Sequence, residues 1–224
     1  MLGVTANRRT YGDPCGIARA LDLLGERWAV LVVRELVLGP KRFTDLRSGL
    51  PGLSPDVLTE RLRDLEQAGV VSRRTLPPPA GSRVYELSEW GRELEPVVIA
   101  LGRWGSRAPF PRRAAQLGID AFVLALKTLF DPSAAGGLKA RYELRLGEER
   151  FHAHINGRRF EITRAGVELP DAVIQGDPGS LSAVLWHRHH LGDALRAGDV
   201  KIEGSRATVE RFLHLFPAPK PAAA

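Results

Sequence analysis

At 224 residues with 44% hydrophobic side chains, the chain is long enough for two folded domains and too apolar to be disordered throughout. Its 32 Lys and Arg against 26 Asp and Glu leave a net charge of +6, compatible with a polyanionic partner, but the excess divides evenly between residues 1–110 and 111–224 and identifies neither half as the contact. One cysteine, Cys15, excludes an intrachain disulfide and a cysteine-based zinc site, no apolar run approaches the ~18 residues of a membrane span, and Asn7, Arg8 and Arg9 break up any secretory leader, so a soluble cytoplasmic protein is expected.

Residues 1–12 read as a loose arm. Ile17, Ala20, Leu21 and Leu24 then keep helical spacing up to Gly25, and Trp28, Leu31, Val32 and Leu36 form a second apolar stripe ending at Gly39-Pro40. Phe43 to Arg47 reads as a short helix capped by Thr44. Ser54 and Pro55 are an N-cap and a first-turn proline. Leu58, Leu62 and Leu65 recur on one face of the helix they open, with Asp56, Glu60, Arg63 and Gln67 opposite and Thr59 on the flank, until Gly69 stops it. Two β-type runs follow, Val70–Leu76 and Arg83–Ser88, joined by a Pro-rich loop over residues 77–82. Ser88 caps a further segment that carries Leu94, Val97, Val98, Leu101 and Trp104 on one face, with a break and restart at Pro96.

A polar-faced helix followed by a basic hairpin is the plan of a winged helix, which reads duplex DNA with the helix and grips the backbone with the hairpin. The side chains for this are Asp56, Thr59, Glu60 and Arg63 on the reading helix opened by Ser54. Lys41 and Arg42 stand before the preceding short helix, and Arg73, Arg74, Ser82 and Arg83 flank the wing. Cys15, at a helix start, is a candidate redox sensor.

The residues also carry a resemblance. Cys15-Gly-Ile, Leu23-Leu-Gly25-Glu-Arg-Trp28, Arg42-Phe43-Thr-Asp-Leu46, Leu58-Thr-Glu-Arg-Leu62-Arg-Asp-Leu65-Glu-Gln-Ala-Gly69 and Tyr85-Glu-Leu87-Ser-Glu-Trp-Gly91-Arg-Glu-Leu94 resemble HxlR-type winged-helix regulators, which are MarR-like, over about residues 11–107. The resemblance implies a homodimer built by the terminal helices, with two reading helices in successive major grooves, and transcriptional control, more often repression. It also implies oxidant or electrophile sensing at Cys15.

Beyond a proline-stiffened linker at Ala108–Arg113 the pattern changes. Ile119, Phe122, Val123, Leu126 and Phe130 form a helix stopped by Asp131-Pro132. Tyr142, Leu144 and Leu146, then Phe151, Ala153 and Ile155, then Phe160 and Ile162 alternate as strands, with Asn156-Gly157 a hairpin turn. Ala172–Ile174 reads as a strand, Leu181 to Leu185 as a helix, Val200–Glu203 as a strand, and Val209 to Phe216 as a last helix before a disordered Pro/Ala tail. This is an α+β domain with a mostly antiparallel sheet.

The runs Val173-Ile-Gln-Gly-Asp177, Leu195-Arg-Ala-Gly198-Asp-Val-Lys-Ile202-Glu-Gly204 and Phe212-Leu-His-Leu-Phe216 resemble sterol-carrier-protein type domains. That resemblance implies a lipid or acyl-chain tunnel, with Phe122, Leu126, Phe130, Trp186, Phe212 and Phe216 as wall candidates. No phosphate loop, nucleophile elbow or catalytic pair is present, and no cofactor is expected. His152 and His154 on one strand face, and His187, Arg188, His189 and His190 in one run, lack the carboxylate or cysteine spacing that would complete a metal site.

The chain is thus expected to be α+β. Residues 1–108 form a winged helix-turn-helix domain for DNA binding and dimerisation, and residues 115–217 a sterol-carrier-like domain. Its expected partners are double-stranded DNA, a second copy of itself and a small apolar ligand, with no membrane. The alternative is an acyl-chain carrier whose winged helix makes protein contacts.

Overall fold

The computed structural model describes residues 10–109, 117–187 and 189–222. Most of the expected arm, linker residues 110–113 and Arg188 lie outside them. The chain divides into two compact units, residues 1–95 and 96–224.

The first unit is a helical bundle with a two-stranded wing. Helices α1 (Gly16–Leu24), α2 (Ala29–Leu36), α3 (Phe43–Gly49) and α4 (Pro55–Gln67) are followed by strands β1 (Val71–Thr75) and β2 (Arg83–Leu87) and by the one-turn helix α5 (Glu89–Arg92). The stripe on α4 behaves as expected: Leu58, Leu62 and Leu65 are fully buried, with Leu36 and Leu46. Each such side chain contributes about 1.5–3 kcal/mol by leaving water.

Two local readings are corrected. The buried face of α2 is Ala29, Val32, Val33 and Leu36, whereas Leu31 stays exposed. Helix α3 is capped at Arg42, whose N–H donates to Asp45, and Thr44 lies inside the first turn. The wing strands pair antiparallel from Val71↔Leu87 to Thr75↔Arg83, and a single bridge adds Lys41 beside Tyr85. At the wing base a Cβ on Gly91 would stand 2.1 Å from the Val70 carbonyl oxygen, so only glycine fits there.

Helix α6 (Leu94–Gly105) starts after a break at Glu93 and carries Pro96 in its first turn, as a proline without an N–H requires. From Pro96 onward it groups with the second unit, where Arg103 Nε donates to the Thr128 carbonyl at 3.2 Å.

The second unit continues with α7 (Ile119–Leu129), α8 (Pro132–Ala135), β3 (Lys139–Leu146), β4 (Glu149–Asn156), β5 (Arg159–Arg164), β6 (Ala172–Gly176), α9 (Pro178–Trp186), α10 (Leu191–Ala197), β7 (Val200–Gly204) and α11 (Arg206–Leu213). The sheet order is β5-β4-β3-β6-β7. All neighbours are antiparallel except β3 and β6.

Strand alternation buries Tyr142, Leu144 and Leu146 with Phe151, Ala153 and Ile155 on one face, against Phe122 and Leu126 of α7 and Val209 and Phe212 of α11. Because β5 and β6 are separated by two strands, the segment between them must cross the sheet. Buried Glu143 accepts the Val167 N–H of that segment at 3.2 Å.

Asp131-Pro132 does more than stop α7, since Asp131 caps α8. The tail after Phe216 is tied back as far as it is described, Ala222 N–H donating to the Arg107 carbonyl at 3.0 Å. Among the described residues no helix is long and apolar enough to cross a membrane.

Candidate nucleic-acid interface

Helix α4 is opened by Ser54, whose Oγ accepts the Val57 N–H at 3.3 Å, with Pro55 in the first turn. Replacing Ser54 with Ala removes that acceptor. The substitution is expected to cost about 1 kcal/mol, read as a lower urea midpoint with an unchanged slope.

With the leucines turned inward, Asp56, Thr59, Glu60 and Arg63 are exposed together along the opposite side. The Thr59 hydroxyl donates to the Pro55 carbonyl at 2.9 Å, leaving its oxygen lone pairs facing out. Arg63 and Arg83 are exposed and form no ion pair among the described residues. On the wing, Arg73 stands 3.6 Å from Glu66 and Arg74 2.8 Å from Glu86. Exposed pairs of this kind are worth ~0–1 kcal/mol, so either arginine can swing to another anion. Ser82 is half-buried and donates to the Ala80 carbonyl.

Two basic residues stand elsewhere than their sequence position implies. Lys41, expected beside the short helix as a phosphate contact, places its Nζ 2.6 Å from buried Glu35. Arg61, on the leucine side of α4, is 7% exposed and is held by Glu60 at 2.6 Å, Asp64 at 3.0 Å and Glu26 at 3.8 Å. Glu60 is therefore both an exposed residue of the reading face and the counter-ion of a buried guanidinium. The Asp64 partner, three residues on, was the signal available in the sequence.

Cys15 is an exposed free thiol at the N-cap of α1, its N–H donating to Asp13.

In the second unit the five aromatic wall candidates are linked by ring contacts and by the Trp186 indole N–H donating to the Phe216 carbonyl. Phe122, Leu126, Phe212 and Phe216 are buried and Phe130 and Trp186 half-buried. Ring centroids lie 5.8 Å apart for Phe122–Trp186, 6.0 Å for Phe130–Phe216 and 4.9 Å for Phe212–Phe216. A cavity of about 600 Å³ between α9 and α10 is lined instead by Ser180, Ala183, Val184, His190, Asp193 and Asp199 among others. Phe122 with Trp186, and Phe130 and Phe212 with Phe216, thus meet at the separations of offset aromatic contacts. His152 and His154 share a strand face with ring centroids 6.0 Å apart. Burial, then the neighbouring His154 and Arg141, hold the His152 imidazole below its usual pKa. No group of three metal-ligating side chains occurs among the described residues.

The model of the HxlR-like helix-turn-helix family matches residues 23–111. The uncharacterized HTH-type transcriptional regulator sll1512 of Synechocystis sp. is 42% identical over 95 residues, which are 42% of this chain and 70% of that one. The chain belongs to the HxlR-like helix-turn-helix family. Two further relatives come from Bacillus subtilis. The uncharacterized HTH-type regulator YvaP is 38% identical over 39% of this chain and 82% of its own. The HTH-type transcriptional regulator YodB is 38% identical over 39% of this chain and 79% of its own. The HxlR-like match takes in α2 to α6 with the wing and ends before the sheet of the second unit.

Proposed function

We propose that this HxlR-like protein is a transcriptional repressor that binds a pseudo-palindromic operator as a homodimer. The observation that carries the reading is the row Asp56, Thr59, Glu60 and Arg63, exposed on a capped helix whose other side is core and followed directly by a hairpin bearing exposed Arg73, Arg74 and Arg83. Such a helix can enter a major groove while the wing arginines neutralise phosphates.

Dimerisation is supported by apolar side chains left in water: Ile17 is 73% exposed on α1 and Trp104 76% exposed on α6. A second copy of the chain would bring two reading helices to half-sites about one helical turn apart.

The sheet and helices of the second unit support a sterol-carrier-type domain. Its closed aromatic core favours stiffening of the dimer over uptake of an apolar ligand. Cys15, exposed at a helix start, is the position at which an oxidant would act.

The test is fluorescence anisotropy on DNA from upstream of the protein's own coding sequence, at rising salt and with and without lipid extract. Binding should weaken steeply with salt, by ~0.9 in log–log slope for each phosphate contact. A salt-insensitive affinity would instead favour the acyl-chain carrier. Ile17→Glu with Trp104→Glu should give a monomer in sedimentation velocity and lose operator binding.

A further inference from the structure

One carboxylate in the first unit is nearly out of water and answers to three elements. Glu35, near the end of α2, is 2% exposed. Its Oε2 lies 2.6 Å from Lys41 Nζ and its Oε1 2.7 Å from Arg34 Nη2. The same Arg34 Nη2 donates to the carbonyl of Gly49, the last residue of α3, at 3.4 Å. A Cβ on Gly49 would sit 2.1 Å from Glu35 Oε2, so glycine is what lets the end of α3 close over the carboxylate.

Lys41 is held at both ends. Its ammonium meets Glu35, and its backbone exchanges two hydrogen bonds with Tyr85 of β2, at 2.9 and 2.8 Å. The next residue, Arg42, is exposed and caps α3. Buried ion pairs add little net stability, because desolvation offsets the attraction, but they penalise every arrangement that separates the charges.

We propose that Arg34, Glu35 and Lys41 form a positioning set that fixes the wing against the helix-turn-helix, and that Lys41 serves DNA binding through Glu35 rather than by touching phosphate. The inference rests on the reading above, that α4 and the wing grip DNA. It gives Lys41 and Glu35 one shared effect. Losing either lets the Lys41 bridge and β2 drift from the end of α2, so Arg42 and Arg83 no longer meet the backbone in register with α4.

The experiment measures anisotropy of the full chain on its own upstream DNA across a salt series, for Glu35→Gln, Lys41→Met, the double variant, Gly49→Ala and, as a control, Arg63→Glu. Each of the first two should weaken binding about tenfold, and the double variant no more than either alone, because the pair acts as one unit. Gly49→Ala should reproduce the loss with both charges kept. The salt slope of Lys41→Met should match that of the unchanged protein.

A slope lower by ~0.9 in Lys41→Met, or tighter binding by Glu35→Gln as the lysine is released, makes Lys41 a phosphate ligand and overturns the inference. Thermal unfolding of every variant fixes a temperature at which all are folded. If affinity there is unchanged, the set is merely structural and the inference fails. An Arg63→Glu variant that binds normally would remove the DNA reading and this inference together. Loss in Arg63→Glu without loss in Glu35→Gln or Lys41→Met would remove this inference alone.

Discussion

Reversing Arg63 and Arg83 together should lower affinity for operator DNA about a hundredfold, since a guanidinium contact to DNA is worth roughly 1–3 kcal/mol and the two residues lie on different elements. The two positions should fail differently. Arg63 faces outward from α4 between the turns that carry Glu60 and Gln67, and on the proposed reading it meets base edges, so its reversal should erode preference for the operator over random duplex. Arg83 opens β2 opposite Thr75, at the wing's far end, so its reversal should weaken all duplexes alike and flatten the salt slope by about one unit. Both are exposed and make no ion pair among the described residues, so neither change should move the unfolding midpoint. The check is a salt-resolved titration on operator and scrambled duplexes. Undiminished affinity in the double variant would remove α4 and the wing from the interface.

Replacing Phe216 with Ala costs the second unit about 3–5 kcal/mol, the usual range for a buried aromatic truncated to a methyl. Phe216 is fully buried, with Phe212, Phe160 and Phe130 at ring separations of 4.9, 5.2 and 6.0 Å, and its carbonyl accepts the Trp186 indole N–H at 3.2 Å. Nothing next to it can collapse into the space without disturbing another ring. For a unit of this size each kcal/mol shifts the midpoint by roughly 3–5 °C, so calorimetry of the full chain should show a drop of about ten degrees or more. If these rings lined an occupied tunnel instead, the variant would lose bound lipid while keeping most of its midpoint. Native mass spectrometry of the unchanged protein and the variant separates the two.

Much of this was legible from residue order because its causes are local. Ser54, Pro55 and Gly69 set the ends of α4, and leucines every three or four residues set its inward side. The Asn156-Gly157 turn and period-two alternation set β3 to β5 and their buried face. Those signals act within a turn of helix or across one hairpin, so they survive without knowledge of the rest.

What tertiary structure alone decided concerns charges and rings whose partners are not paired by helix or strand spacing alone. Lys41 looked like a surface cation until Glu35 and the closing Gly49 were placed around it. Arg61 sat on a leucine face until Glu26 arrived to share it. Asp120 is a buried acid that Arg164, on the edge strand and 44 residues away, reaches at 2.5 Å. Likewise six aromatic and leucine side chains could wall a tunnel or fill a core with the same spacing, and which of the two they do depends on how α7, α9 and α11 close over the sheet. Periodicity fixes which way a side chain faces; whether it meets water, a counter-ion or another ring depends on segments that folding brings together from tens of residues away.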